Sequence, residues 1–130
     1  VNQQCLNIIQ NQKITINSSP NTLRDFIPLN LVCQQISNLL HLKIPQTIIN
    51  LGANRTSSLM RMSKEIAHVY RKNWNRSVEI QYDLEQVHVV SDFQYNSKIL
   101  QKINDGKFEE EMNLEIKSLI EFCSAEFSEK

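Results

Sequence analysis

Two glycines in 130 residues, Gly52 and Gly106, limit this chain more than any motif it contains. Glycine is the residue that lets backbone turn left-handed or approach a phosphate closely, because it carries no Cβ. With only two, neither the G-x-G-x-x-G dinucleotide loop nor the G-x-x-x-x-G-K-[ST] phosphate loop can be written. Three prolines in addition leave no room for a long flexible linker. There is no internal repeat, G-x-S-x-G elbow, HExxH helix or calcium loop. The run Glu109 to Glu111 reads as a solvated helix start, where carboxylates suit the helix dipole.

The length suits one domain, 1–130, with a two-layer core. Apolar residues make up 41% and charged residues 22%, the balance of a soluble globular protein. No apolar run reaches the eighteen residues of a membrane span, and "VNQQCLNIIQNQK" is no signal peptide. Val1 in place of an initiator methionine points to a processed chain or, ahead of that, an excised fragment. Cys5, Cys33 and Cys123 are odd in number and far apart. They read as reduced thiols of a cytoplasmic protein, not as a disulfide framework or zinc site. His41, His68 and His88 are equally scattered and give no metal set. Residues 1–78 hold nine bases and two acids, hence +7; residues 79–130 hold five bases and twelve acids, hence −7. Either the halves neutralise each other on folding, the simpler reading, or a basic face receives an anion.

Along the chain, "VNQQCLNIIQNQ" has helical spacing, "KITI" reads as a strand and "NSSPNT" as a turn-rich loop. "LRDFI" is extended, since Pro28 biases Ile27 away from helix. A helix follows from about Asn30, which can cap it, with Leu31, Val32, Ile36, Leu39 and Leu40 as its apolar face. "TIINL" (47–51) reads as a buried strand and Gly52 as the turn after it. Thr56, Ser57 or Ser58 can cap the next helix, "SLMRMSKEIAHVYRK". "VEIQY" and "VHVVSDF" read as extended segments. "SKILQKI" is a short helix stopped at Asp105-Gly106, and a last helix starts near Asn113. The sum is a small α/β or α+β domain with four or five helices, three or four short strands and some parallel pairing.

Four of these stretches, in order, resemble the extended short-chain dehydrogenases/reductases, the NAD-dependent sugar-nucleotide epimerases and dehydratases. They are "KITINSSPNTLRDFIPLNLVCQQI", "INLGANRTSSLMRMSKEIAHVY", "YNSKIL" and "LEIKSLIEFC", which together cover almost the whole chain. The resemblance implies the C-terminal substrate-binding lobe, without the dinucleotide-binding Rossmann half and its Tyr-x-x-x-Lys. Such a lobe binds a nucleotide-diphosphate sugar and does not transfer hydride alone. NAD(P) is then a cofactor of the parent enzyme, held by the missing N-terminal dinucleotide-binding domain; no cofactor is expected on this chain itself. The resemblance allows a homodimeric parent and points to nucleotide-sugar or surface-polysaccharide metabolism.

Residue by residue, the resemblance places Arg24 at the substrate diphosphate, where a guanidinium fork can hold two phosphate oxygens. Asp25 would orient or neutralise it. Phe26 falls at an aromatic pocket position, and Thr15 and Asn17 at the strand edge that meets the base. Leu59 falls at an apolar position, beside a helix N-terminus that favours an anion. A salt bridge for Arg24, and core packing for Phe26 and Leu59, are the plain alternatives. The chain departs from the pattern at Asn17-Ser18, at Asn30-Leu31, and after "VEIQY", where the Arg-x-Gly-Asp contact is missing. Two other functions compete. One is a non-catalytic interaction or oligomerisation domain. The other is a nucleic-acid module using Arg61, Lys64, Arg71, Lys72 and Arg76, which is disfavoured because a strand, not a second helix, follows them.

Overall fold

The computed structural model describes residues 1–41, 48–83, 85 and 105–127. Helix α1 (Asn2–Asn11) buries Gln4, Cys5 and Ile8. It stops where Gln12 turns left-handed, at φ 52°, and returns its N–H to the Ile8 carbonyl. Strand β1 (Lys13–Ile16) follows at once, with Ile14 and Ile16 inward. In a chain so poor in glycine, all three left-handed positions found among the described residues carry side chains: Gln12, Asn54 and Asn75. Asparagine tolerates this conformation better than glutamine does. Gln12→Gly is therefore expected to raise the unfolding free energy by about 0.5–1 kcal/mol, the Cβ strain relieved less the added chain entropy. Urea denaturation measures it, and a net loss would show that the Gln12 side chain contributes.

β1 pairs in parallel with β4 (Glu79–Tyr82), Ile14 opposite Ile80. β2 (Leu23–Asp25) pairs antiparallel with β3 (Thr56–Ser58), Arg24 opposite Ser57. Helices α2 (Leu29–Leu40), α3 (Leu59–Trp74) and α4 (Asp105–Phe127) complete the described elements. The fold is mixed α/β, of the small α+β kind, with four helices and four short strands among the described residues. Its core joins Cys5 and Ile8 of α1 and Ile14 of β1 to two further helices. These contribute Met62, Ile66, Val69 and Tyr70 from α3, and Met112, Ile116, Ile120 and Cys123 from α4. Among the described residues, no helix is long and apolar enough to cross a membrane.

Several expectations are corrected. Residues 48–51 of "TIINL" form no strand, and Ile48 is 83% exposed. Among the described residues no strand pairs with them, and propensity alone does not make a strand. Gly52 does not turn left-handed; that role falls to Asn54. Gly52 is instead buried, with its carbonyl accepting from Gln35 Nε2 at 3.0 Å. α2 starts at Leu29, after Pro28, without a side-chain cap. Asn30 lies inside its first turn and donates to Glu111 at 2.8 Å. Asp105 and Gly106 lie within α4, eight residues ahead of the expected start at Asn113. "VHVVSDF", "YNSKIL" and "SKILQKI" lie outside the described residues.

α4 reaches α2 through a polar ladder. Lys107 Nζ donates to Gln34 Oε1 at 2.7 Å, Asn30 Nδ2 donates to the Glu111 carboxylate, and the Leu29 N–H donates to Glu115 Oε2 at 2.9 Å. Lys107, Glu111 and Glu115 are spaced four apart and so share one helix face. The Glu115 carboxylate also meets the positive end of α2, the place that favours an anion.

Candidate functional site

The β2–β3 ladder sets the geometry. Residues directly opposite in an antiparallel pair share a sheet face, so Arg24 and Ser57 project to the same side. Ser57, and Phe26 just past the end of β2, line a cleft of about 270 Å3. Its other walls include Arg55, Arg61, Phe108 and Met112. Arg24 is exposed and is not itself a lining residue; its Nη1 donates to the neighbouring Leu23 carbonyl at 2.8 Å. Along the chain Arg24 lies two residues before the lining residue Phe26, and on the ladder it pairs with the lining residue Ser57.

The cleft combines an apolar floor with charged walls. Met62 and Met112 are buried core residues that reach it. The Arg55 guanidinium lies 4.5 Å from the Phe108 ring centroid, a cation–π contact that ties the loop before β3 to α4. Glu65 and Glu109 also line it, so its charge is mixed.

Asp25 does something other than pair with Arg24. Its two carboxylate oxygens accept from the Ala53 N–H at 2.7 Å and the Arg55 N–H at 3.0 Å. Asn54, between them, is left-handed, and successive N–H groups around such a residue form an anion-binding hollow. Asp25 fills that hollow and fixes the loop that brings Arg55 to the cleft.

The start of α3 is likewise occupied. Ser58, one of the three expected caps, accepts from the Arg61 N–H at 3.1 Å. The Leu59 and Met60 N–H groups donate to the Thr22 and Pro20 carbonyls at 3.0 and 2.9 Å. Three first-turn donors are therefore committed within the protein, which removes them as a seat for an anion. Leu59 is half-buried beside the cap and does not line the cleft. Thr15 is half-buried on β1, opposite Gln81, and Asn17 is exposed just beyond it. Both belong to the β1–β4 sheet, not to the β2–β3 ladder, and neither lines the cleft.

Of the five residues expected at a site, Phe26 lines the cleft, and Arg24, Thr15, Asn17 and Leu59 do not. Arg61 had been named only for the nucleic-acid alternative, and Arg55, Glu65 and Phe108 were missed. Arg55 sits inside the quoted "INLGANRTSSLM", and an arginine after Asn54 ahead of a capped helix was the available signal. The basic residues Lys64 and Arg71 lie elsewhere, exposed along a separate shallow groove of about 200 Å3 between α3 and β4. As expected, a strand and not a second helix follows α3.

Among known proteins, no family model matches this chain, and no curated protein matches it significantly. One solved structure does: "a novel NAD dependent-NDP-hexosamine 5,6-dehydratase, TunA, involved in tunicamycin biosynthesis". The superposition has a TM-score of 0.60 at 14% identity and covers 88% of this chain. At that identity the likeness is one of fold. The chain is similar in fold to one portion of TunA, spanning 38% of that protein's length.

Proposed function

We propose that residues 1–130 are one domain, the substrate-binding lobe of an NAD-dependent sugar-nucleotide epimerase or dehydratase of the extended short-chain dehydrogenase/reductase type. It holds a nucleoside-diphosphate sugar in the cytoplasm and leaves hydride transfer to another lobe. The observation that supports this reading is the β2–β3 ladder, which pairs Arg24 with the cleft residue Ser57 in a fold similar to that of one portion of TunA. Arg24 receives the diphosphate, Phe26 lines the sugar side, and Arg61 supplies a second cation. Thr15, Asn17 and Leu59, expected at the base and at an apolar pocket position, do not line this cleft and are assigned no contact in it. NAD belongs to the parent enzyme. The start of α3 does not fit a dinucleotide's pyrophosphate, which needs free backbone donors at a helix start: those of α3 are taken by Pro20, Thr22 and Ser58.

Titration with a panel of nucleoside-diphosphate sugars tests the reading. Arg24→Ala is expected to weaken binding about tenfold, the loss of one charge-assisted phosphate contact. Arg24→Lys should recover only part of it, because an ammonium cannot form the two-toothed contact. Equal affinity in wild type and Arg24→Ala sinks the anchor role. A chain that binds none of the panel sinks the lobe reading itself.

A further inference from the structure

α3 carries a row of bases that the cleft does not use. Lys64, His68 and Arg71 line the groove of about 200 Å3 between α3 and β4, which shares no lining residue with the cleft beside Phe26. Steps of four and three residues put these side chains on one helix face. Their Cα atoms spread over about 10 Å at the helical rise, a span that lysine and arginine side chains can close onto one anion. All three are exposed, and among the described residues none of them hydrogen-bonds or pairs with a carboxylate. Acid is kept out of the groove as well. Among the described residues no carboxylate lines it, and Glu65, next to Lys64, lines the other cleft. Ile80 of β4 lines the groove, so strand alternation sends Glu79 and Gln81 to the opposite face, where Gln81 Nε2 donates to Glu79 Oε2 at 3.1 Å. The helix dipole accounts for Arg71 in the last turn of α3 but not for Lys64 and His68 in its middle. Bases at these steps repel one another when charged, so the row costs the helix stability unless an anion joins it.

We propose that this groove is a second anion site, seating the phosphate group of a small phosphorylated molecule between Lys64, His68 and Arg71. It stands apart from the nucleotide-sugar reading and from its cleft. A phosphate offers several acceptor oxygens to separate donors, which answers three clustered bases and the Ser77 hydroxyl at the same groove. Ala67, Val78 and Ile80 are half-buried there and supply an apolar floor. That floor favours an organic phosphate of a few carbons over a nucleic-acid backbone, whose non-specific binding rests on charge alone.

His68 reports the site directly, through the carbon-bound protons of its imidazole in an NMR titration, assigned against His68→Gln. Inorganic phosphate and phenyl phosphate are the probes, added at fixed pH and at an ionic strength held with sodium chloride. Both are expected to shift the His68 signals saturably, phenyl phosphate about fivefold more tightly because its ring covers the apolar floor. Arg71→Gln should weaken both about tenfold, the loss of one charge-assisted contact, with the circular dichroism unchanged because the side chain is exposed. Arg24→Ala should leave the His68 response as it is. A response that sodium chloride alone reproduces, or that Arg71→Gln leaves unchanged, overturns the site. Loss of the response in Arg24→Ala also overturns it, by placing the phosphate in the other cleft. Equal affinity for the two probes, or tighter binding of duplex DNA at the same His68 signals, overturns the small-molecule occupant.

Discussion

Ile116→Ala is expected to lower the unfolding free energy by about 3–4 kcal/mol, the range for emptying a well-packed aliphatic site. Ile116 is fully buried at the middle of α4, in the cluster where α1, β1, α3 and α4 meet. The removed methyl and methylene groups leave a cavity walled by rigid elements on several sides, so little of it can collapse. Leu114→Ala, two residues away on the exposed side of the same helix, should change stability by only about 0.5 kcal/mol, mostly through helix propensity. Urea unfolding of both variants gives the contrast. An Ile116 loss no larger than the Leu114 one would mean that α4 does not seal the core.

Asp25→Ala is the second large effect, about 3 kcal/mol. Two backbone N–H groups, of Ala53 and Arg55, donate to this one carboxylate. Hydrogen bonds to a charged acceptor contribute roughly 1.5–3 kcal/mol each, and orphaned donors in a partly buried loop regain little from water. Asp25→Asn retains one acceptor oxygen and should lose about half as much. Because the same loop delivers Arg55 to Phe108 at the cleft, Asp25→Ala should also weaken the nucleotide-sugar binding proposed for this cleft. Neutral Asp25→Ala and Asp25→Asn in urea melts would remove the carboxylate from the account of this loop.

How far the sequence could be read depended on whether its signals were local. α3 was legible because its apolar period and its cap signal, one of Thr56, Ser57 and Ser58, act within a turn of the helix itself; its left-handed stop at Asn75 went unread. "KITI" and "VEIQY" read as strands, and the structure pairs them in parallel over most of their length. Asp105-Gly106 was ambiguous by nature. Aspartate favours a helix start and glycine a helix end, and both residues lie within α4. The spacing of Phe108, Met112, Ile116 and Ile120, four apart, was the overlooked clue. The site was legible only in part, since Arg24 and Phe26 are contiguous but their counterparts are not. Asp25 looked like a partner for Arg24 because the two are adjacent. On a strand, however, adjacent side chains point to opposite faces, and Asp25 found its partners 28 and 30 residues downstream.

The parallel pairing of β1 with β4, and the packing of α1 on α4, set the order in which this chain can be assembled on the ribosome. β1 is made early but has no strand to join until Glu79–Tyr82 has emerged. α1 has no roof until Asp105–Phe127 has followed. Closing such wide loops costs entropy before any contact repays it. The β2–β3 ladder and the α3 cap need far less chain. The β2–β3 ladder can therefore form on a nascent polypeptide whose first helix still waits for the last one to be translated.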